Sequence, residues 1–449
     1  MKNKKILSLV ISALTLVGCG GTGNSGAANN GDPILVWVGA ESVDFYKAKL
    51  EEYKTANPSL NLSFEVKGVD TGTAATTFLA DTEAGADIFT VAHNNVADLT
   101  TGASAIMPVT NKDLLAQIQN DNPAAFQELV KSTVGGQEYT FAVPYISQSL
   151  VLYYNTAAIS TEQVKTWEGI RDAAKAAGSD VKGTTVAATD LFNFSWPYLS
   201  SRVDGTATSF KLYENGSLEN VEADGDDTVA CLKWVQDYFA DPNGGKYPTD
   251  AKWEQQLAIP QGGTIGKVLS VVGGAWHYES AKAALGDNLG IAVLPTYTIT
   301  ADSAYGTVTA GTVYQSGTFT DCKAFVMKNG SKYARYLDGV VKFLSSKEVQ
   351  EKSFEVCNNL PAYKNARAEF NSMKADTFEA KLANAQYEMF DHGRPQPFGD
   401  SRFNSYFYSS YAAESYKYVI DNPDGAWSTL DAIKAELGVI ETIWKTGNK

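Results

Sequence analysis

From Pro33 onward, short runs of strand length alternate with stretches whose apolar residues recur every three or four positions. Ile34-Leu35-Val36-Trp37-Val38 is apolar at every position, which predicts a strand covered on both faces. Val43, Tyr46, Leu50 and Tyr53 then share one helical face, with Ser42 placed to cap the start and Asn57-Pro58 to stop the helix. Residues 60–66 and 87–92 read as strands, with a helix over 73–82 between them. The pattern repeats later. Strands are predicted over 141–145, 150–154, 184–188, 268–272 and 290–294, and helices over 167–177 and 228–239. Asp226 or Asp227 is placed to cap the second of these helices. Leu337, Val340, Val341 and Leu344 make a further helical stripe, and the chain from Phe378 is helix-dominated. Strands alternating with helices imply an α/β fold with mostly parallel sheets flanked by helices. No fixed-period repeat and no Pro/Gly linker divides the chain, so two α/β lobes that exchange segments are expected. In such folds ligands sit outside the carboxyl ends of the strands.

Composition narrows the partners. The 449 residues carry a formal charge of -14, and no Lys/Arg cluster offers a basic patch, so a nucleic-acid partner is excluded. Four cysteines rule out a disulfide-dense scaffold. Cys231, Cys322 and Cys357 are too widely spaced for a CxxC metal or redox motif, and buried free thiols are expected; whether any two pair is left open.

The N-terminus reads as an address. Lys2, Lys4 and Lys5 precede an uncharged apolar run from Ile6 to Val17, then Gly18 and Cys19, the layout of a secretory signal. The run is shorter than the ~20 apolar residues that span a bilayer. Leu16-Val17-Gly18-Cys19 resembles the bacterial lipobox, which implies cleavage after residue 18 and lipid on Cys19. Residues 19–32, rich in Gly, Asn, Ala and Ser, would be a flexible tether to the cell membrane.

Catalytic and cofactor motifs are missing. The three histidines, His93, His277 and His392, show no HExxH spacing. There is no G-x-S-x-G elbow, P-loop or strand-borne G-x-G-x-x-G, and no cofactor or metal is expected. The acidic run Asp224–Asp227 lacks the twelve-residue ligand spacing of a calcium loop. What stands out is 8 Trp, 23 Tyr and 20 Phe in a chain well supplied with amides. Pyranose rings have apolar C–H faces and a hydroxyl rim, so a sugar site needs flat aromatics together with carboxylates or amides.

Several segments, taken in order, resemble family 1 of the bacterial extracellular solute-binding proteins, its maltose- and maltodextrin-binding members in particular. They are W-V-G-A-E at 37–41, A-D-I-F-T-V-A-H at 86–93, A-V-P-Y-I-S-Q-S-L-V-L-Y-Y-N at 142–155, K-T-W-E at 165–168, F-S-W-P at 194–197, G-G-A-W at 273–276, G-I-A-V-L-P-T-Y at 290–297 and G-R-P-Q-P at 393–397. The resemblance covers nearly all of residues 33–449. It implies a two-lobed periplasmic-binding-protein-like fold of class II, with lobes joined by hinge crossovers. Residues 33–146 plus 322–375 would form the N-terminal lobe, and 147–321 plus 376–449 the C-terminal lobe.

It also implies site residues. Glu41 matches a family acid that accepts from sugar hydroxyls. Asn94 and Asn95 stand where the family has an acid and an arginine, and Gln148 where it has a glutamate, so amides keep hydrogen bonding and lose charge. Val91 replaces a stacking tryptophan. Trp276 and Tyr406 match stacking positions, and Gly273-Gly274 would let the Trp276 backbone come close. Asn193 aligns with a ligand-contacting tyrosine, Trp196 with a tryptophan beside the cleft, and Tyr278 and Arg402 are further candidates. The implied function is a non-enzymatic, monomeric lipoprotein that binds malto-oligosaccharides by hinge closure and delivers them to an ABC permease. The rival readings are an extracellular polysaccharide-degrading enzyme, or the same binder for another oligosaccharide or for a peptide, polyamine or metal complex.

Overall fold

β1 (Ile34–Val38) is sealed on both faces, as its unbroken apolar run predicts. Ile34, Val36 and Val38 enter one core cluster and Trp37 the cluster on the opposite side. The computed structural model describes residues 31–102, 104–187, 192–209, 221–246, 253–257, 267–371, 377–396, 419, 425 and 427–446. Cys19, Arg402 and Tyr406 lie outside them, as do the signal and nearly all of the tether.

After β1 the first lobe adds β2 (Phe64–Gly68), β3 (Ile88–Ala92), a ribbon of β4 (Lys131–Val134) and β5 (Gln137–Thr140), and β6 (Ala142–Gln148). The second lobe holds β7 (Leu150–Asn155), β8 (Lys182–Val186), β9 (Ser201–Arg202), β10 (Val268–Gly274), β11 (Leu289–Ala292), β12 (Thr296–Thr298) and β13 (Val313–Gln315). β14 (Asp321–Met327) returns to the first.

The first sheet runs β2-β1-β3-β14-β6, and the second β11-β7-β10-β8. β1 is parallel to β2 and β3, but β14 is antiparallel to both of its neighbours. In the second sheet only β10 and β8 are parallel. Both sheets are therefore mixed, where the alternation of elements predicts mostly parallel ones. The cause is the way the lobes are joined. β6 runs into β7 through Ser149 alone, and β14 re-enters from the other lobe, so neither is laid down by a β–helix–β crossover.

Local departures have local reasons. Ser42 precedes the helix Val43–Ala56 without capping it; its hydroxyl accepts from Asn359 Nδ2 at 3.1 Å instead. The strand expected from Leu60 starts at Phe64, because Pro58–Leu60 winds into a 3-10 turn that ends at left-handed Asn61 (φ 49°). Gly225, not an aspartate, occupies the cap of the helix Asp226–Ala240. Asp226 and Asp227 lie in its first turn, where Asp227 pairs with Arg202 at 2.7 Å and Asp226 accepts from the Thr307 N–H at 2.9 Å. Cys231, Cys322 and Cys357 are free thiols, the first two buried.

The second lobe packs around an aromatic core. Trp167 stacks on Trp196 at 4.8 Å between ring centroids, Trp234 lies against Tyr238 at 5.1 Å, and Tyr297 stacks on Tyr314 at 5.6 Å. Five of the eight tryptophans, Trp167, Trp196, Trp234, Trp427 and Trp444, are buried in this core.

Candidate functional site

A cleft of about 730 Å³ opens at the carboxyl ends of β1, β2 and β3 on one side and of β8 and β10 on the other. Its volume falls within the ~300–1,000 Å³ usual for small-molecule pockets. Three of its lining side chains come from one recurring device: a strand, a single 3-10 turn, then a helix. β1 leads through Ala40–Ser42 into Val43–Ala56, β3 through His93–Asn95 into Val96–Thr100, and β10 through Ala275–His277 into Tyr278–Leu285. The middle residues of the three turns are Glu41, Asn94 and Trp276, and all three line the cleft.

The first-lobe wall is polar. The Glu41 carboxylate folds back over Gly39, where a Cβ would collide with it, so glycine leaves the room for that bend. Asp70 follows β2 and accepts from the Thr73 N–H at 3.1 Å. Asn94 is buried, Asn95 half-buried, and Asp98 stands in the first turn of the helix Val96–Thr100. Carboxylates accept and amides do both, which suits a ligand rich in hydroxyls.

The second-lobe wall is aromatic. Trp276 is 40% exposed, and among the described residues it is the one aromatic of the large exposed hydrophobic side chains. Its indole lies back against Gly274, where any Cβ would meet the ring, so G-G-A-W is a shape requirement. Phe192 extends the surface, with ring centroids 6.0 Å apart, and Asn193 follows it into the cleft lining. The turn is held from behind: the Gly274 N–H donates to His277 Nδ1 at 3.2 Å, and the Tyr153 hydroxyl donates to the Gly274 carbonyl at 2.9 Å. Burial pushes the His277 imidazole down to about 4, so it is neutral at pH 7 and keeps that acceptor lone pair.

The floor is where the chain crosses between lobes. Gln148 at the end of β6 faces Asp321 at the start of β14. The segment at Arg394 pairs with 318–320: the Arg394 N–H donates to the Thr318 carbonyl at 3.0 Å, and the Thr320 N–H to the Arg394 carbonyl at 2.9 Å. Asp321 is fully buried, and burial pushes its carboxyl up, opposed by His93 and by hydrogen bonds from Gln396 and Gln148. His93 Nε2–H donates to the Gln396 carbonyl at 3.1 Å, and the Gln396 amide donates to Asp321. Four stretches distant in sequence, around His93, Gln148, Asp321 and Gln396, are thus tied into one buried polar knot beneath the cleft.

Of the residues expected at the site, the structure brings together Glu41, Asn94, Asn95, Gln148, Asn193 and Trp276. Two it does not. Trp196 is 1% exposed and stacked on Trp167 in the second-lobe core. Tyr278 is also 1% exposed, and its hydroxyl donates to Glu379 at 2.8 Å; burial pushes that hydroxyl up to about 12. Two residues along a helical path turn the side chain through ~200°, so with Trp276 facing the cleft Tyr278 must face the core. Tyr406 and Arg402 lie outside the described residues. Asp70, Asp98, Phe192, Lys323 and Gln396 also line the cleft and were not expected. Lys323 did carry a signal: in the D-C-K-A-F-V-M strand it is the one cation, and it interrupts the apolar run that follows Asp321. Among the described residues no cluster of His, Cys, Asp and Glu could hold a metal ion, and no helix is long and apolar enough to cross a membrane.

A family model described as bacterial extracellular solute-binding protein matches residues 48–383. No curated protein matches the chain. Among solved structures, the fold is similar to the maltodextrin binding protein MalE1 from L. casei BL23 without ligand, with TM-score 0.71 and 19% identity over 93% of this chain and 100% of that one. It is similar to the GacH receptor of Streptomyces glaucescens, solved unliganded and with acarbose, with TM-score 0.69 and 18% identity over 93% and 99%. It is also similar to MalX from Streptococcus pneumoniae in complex with maltopentaose, with TM-score 0.67 and 17% identity over 92% and 100%.

Proposed function

The chain belongs to the bacterial extracellular solute-binding proteins, and from that premise we propose that its cleft captures an oligosaccharide, malto-oligosaccharides first, by closing its two lobes around it. The observation that carries this is an exposed tryptophan on one wall facing carboxylates and amides on the other. A pyranose stacks its C–H face on such a ring and offers its hydroxyl rim to such acceptors and donors. The neighbours solved with maltopentaose and acarbose support the same ligand class.

Binding across both walls favours the closed form over the open one, and the hinge is the set of crossings around Ser149, Asp321 and Arg394. Lobes of residues 33–146 plus 322–375 and 147–321 plus 376–449 would move against each other there. The closed form then docks on an ABC permease, while lipid on Cys19 keeps the protein, as a monomer, at the outer face of the cell membrane. Binding, not turnover, is the expected activity.

Titrating the purified protein with maltotriose, read by calorimetry and by tryptophan fluorescence, tests this reading. Micromolar affinity, about -8 kcal/mol, is expected. A silent titration with maltotriose and longer malto-oligosaccharides, or a glucan shortened on incubation, would overturn it. Cys19→Ala is expected to move the protein from the membrane fraction to the soluble fraction with unchanged affinity; retention on the membrane would refute the tether.

A further inference from the structure

We propose that Lys323 contacts the ligand directly, its ammonium donating to an oxygen of the sugar ring seated on Trp276; this rests on the oligosaccharide reading above.

The argument begins with the strand. In β14 the residues Cys322, Ala324, Phe325, Val326 and Met327 are all buried and apolar, and a lysine among them loses hydration for no packing gain. Its neighbours in the ladder are Ala92 on β3 and Ile146 on β6, which offer the side chain no partner. The β6 register slips by one between Lys323 and Ala324, and irregularities of this kind commonly re-aim a side chain beside a site.

The ammonium reaches the cleft. It stands 5.5 Å from the centroid of the Trp276 ring, which belongs to the other lobe. An ammonium has three N–H donors, and among the described residues Lys323 makes no side-chain hydrogen bond and no ion pair. Glu41 and Asp70 act on it only through their field. A desolvated donor group next to the exposed stacking surface leaves its acceptors to be supplied from the cleft. A sugar ring on Trp276 brings hydroxyl and ring oxygens within reach of that ammonium, while Glu41 accepts from neighbouring hydroxyls. Because β14 is also a crossing strand of the hinge, such a contact would couple the occupied aromatic wall to the segment about which the lobes close.

The test compares wild type, Lys323→Met and Lys323→Arg by calorimetry with maltotriose, after thermal melts confirm that each variant is folded. Loss of a charged donor is expected to weaken binding about tenfold or more in the methionine variant, and the arginine variant is expected to stay within about fivefold of wild type. Amine acetylation mapped by mass spectrometry supplies a readout that a merely structural role would not move. Maltotriose is expected to protect Lys323 while leaving the exposed Lys175 equally labelled. If wild type binds maltotriose and Lys323→Met binds within about twofold of it, or if Lys323 gains no protection, the direct contact is overturned and the sugar reading stands. If wild type itself is silent, the sugar reading fails and this proposal with it.

Discussion

The two walls of the cleft are built by the same backbone device and end in opposite chemistry. Glu41 and Asn94 on one side and Trp276 on the other each occupy the middle of a 3-10 turn between a strand and a helix. What differs is the support. The polar wall stands over amide and carboxylate groups of the first lobe, and Glu41 needs only the space above Gly39. The aromatic wall needs Gly274 for the indole to lie on, Gly273 to leave room for the neutral histidine behind the turn, and Phe192 alongside. Backbone geometry decides that a side chain reaches the cleft. The identity of that side chain, and what its turn can accommodate, decides what the wall recognises.

The largest effect that would sharpen this contrast is on stability. The folded-state value of His277, about 4, lies below the ~6.5 of an exposed histidine, so between these pH values the unfolded chain binds more protons. The contribution is complete above pH 6.5 and is lost as pH falls to 4, amounting to about 3 kcal/mol. Urea unfolding across that window is expected to show this slope in wild type and a flatter one in His277→Phe. Identical slopes would remove the histidine from the account of the aromatic wall.

Trp276→Ala should weaken maltotriose binding by about 2 kcal/mol or more, with little change in melting temperature, because the ring is already 40% exposed. A change within ~0.5 kcal/mol would mean that the exposed ring is not the binding surface. Glu41→Gln, which keeps the shape and removes the charge from the polar wall, should cost about 1 kcal/mol of affinity by calorimetry. An equal or larger loss than for Trp276→Ala would reverse the ranking of the walls.

The smallest expected effect on affinity belongs to Tyr278→Phe. Losing the hydrogen bond to Glu379 should lower stability by about 1 kcal/mol and leave sugar affinity unchanged. A weakened titration in the folded variant would return Tyr278 to the cleft.

Much of this was legible before any coordinates. The apolar run at 34–38 and the helical stripe at Leu337, Val340, Val341 and Leu344 state their roles in their own spacing. Tertiary structure decided the rest. Trp196 and Trp276 are both tryptophans beside expected cleft segments, yet one is stacked in a core and the other is exposed. Lys323 faces an indole 47 positions away in the chain, and Asp321 meets Gln396 across 75. Local patterns report which face of an element is apolar, because that depends on neighbours within a few residues. Which elements meet, and which ring is left uncovered when they do, depends on contacts between lobes that no window of sequence contains.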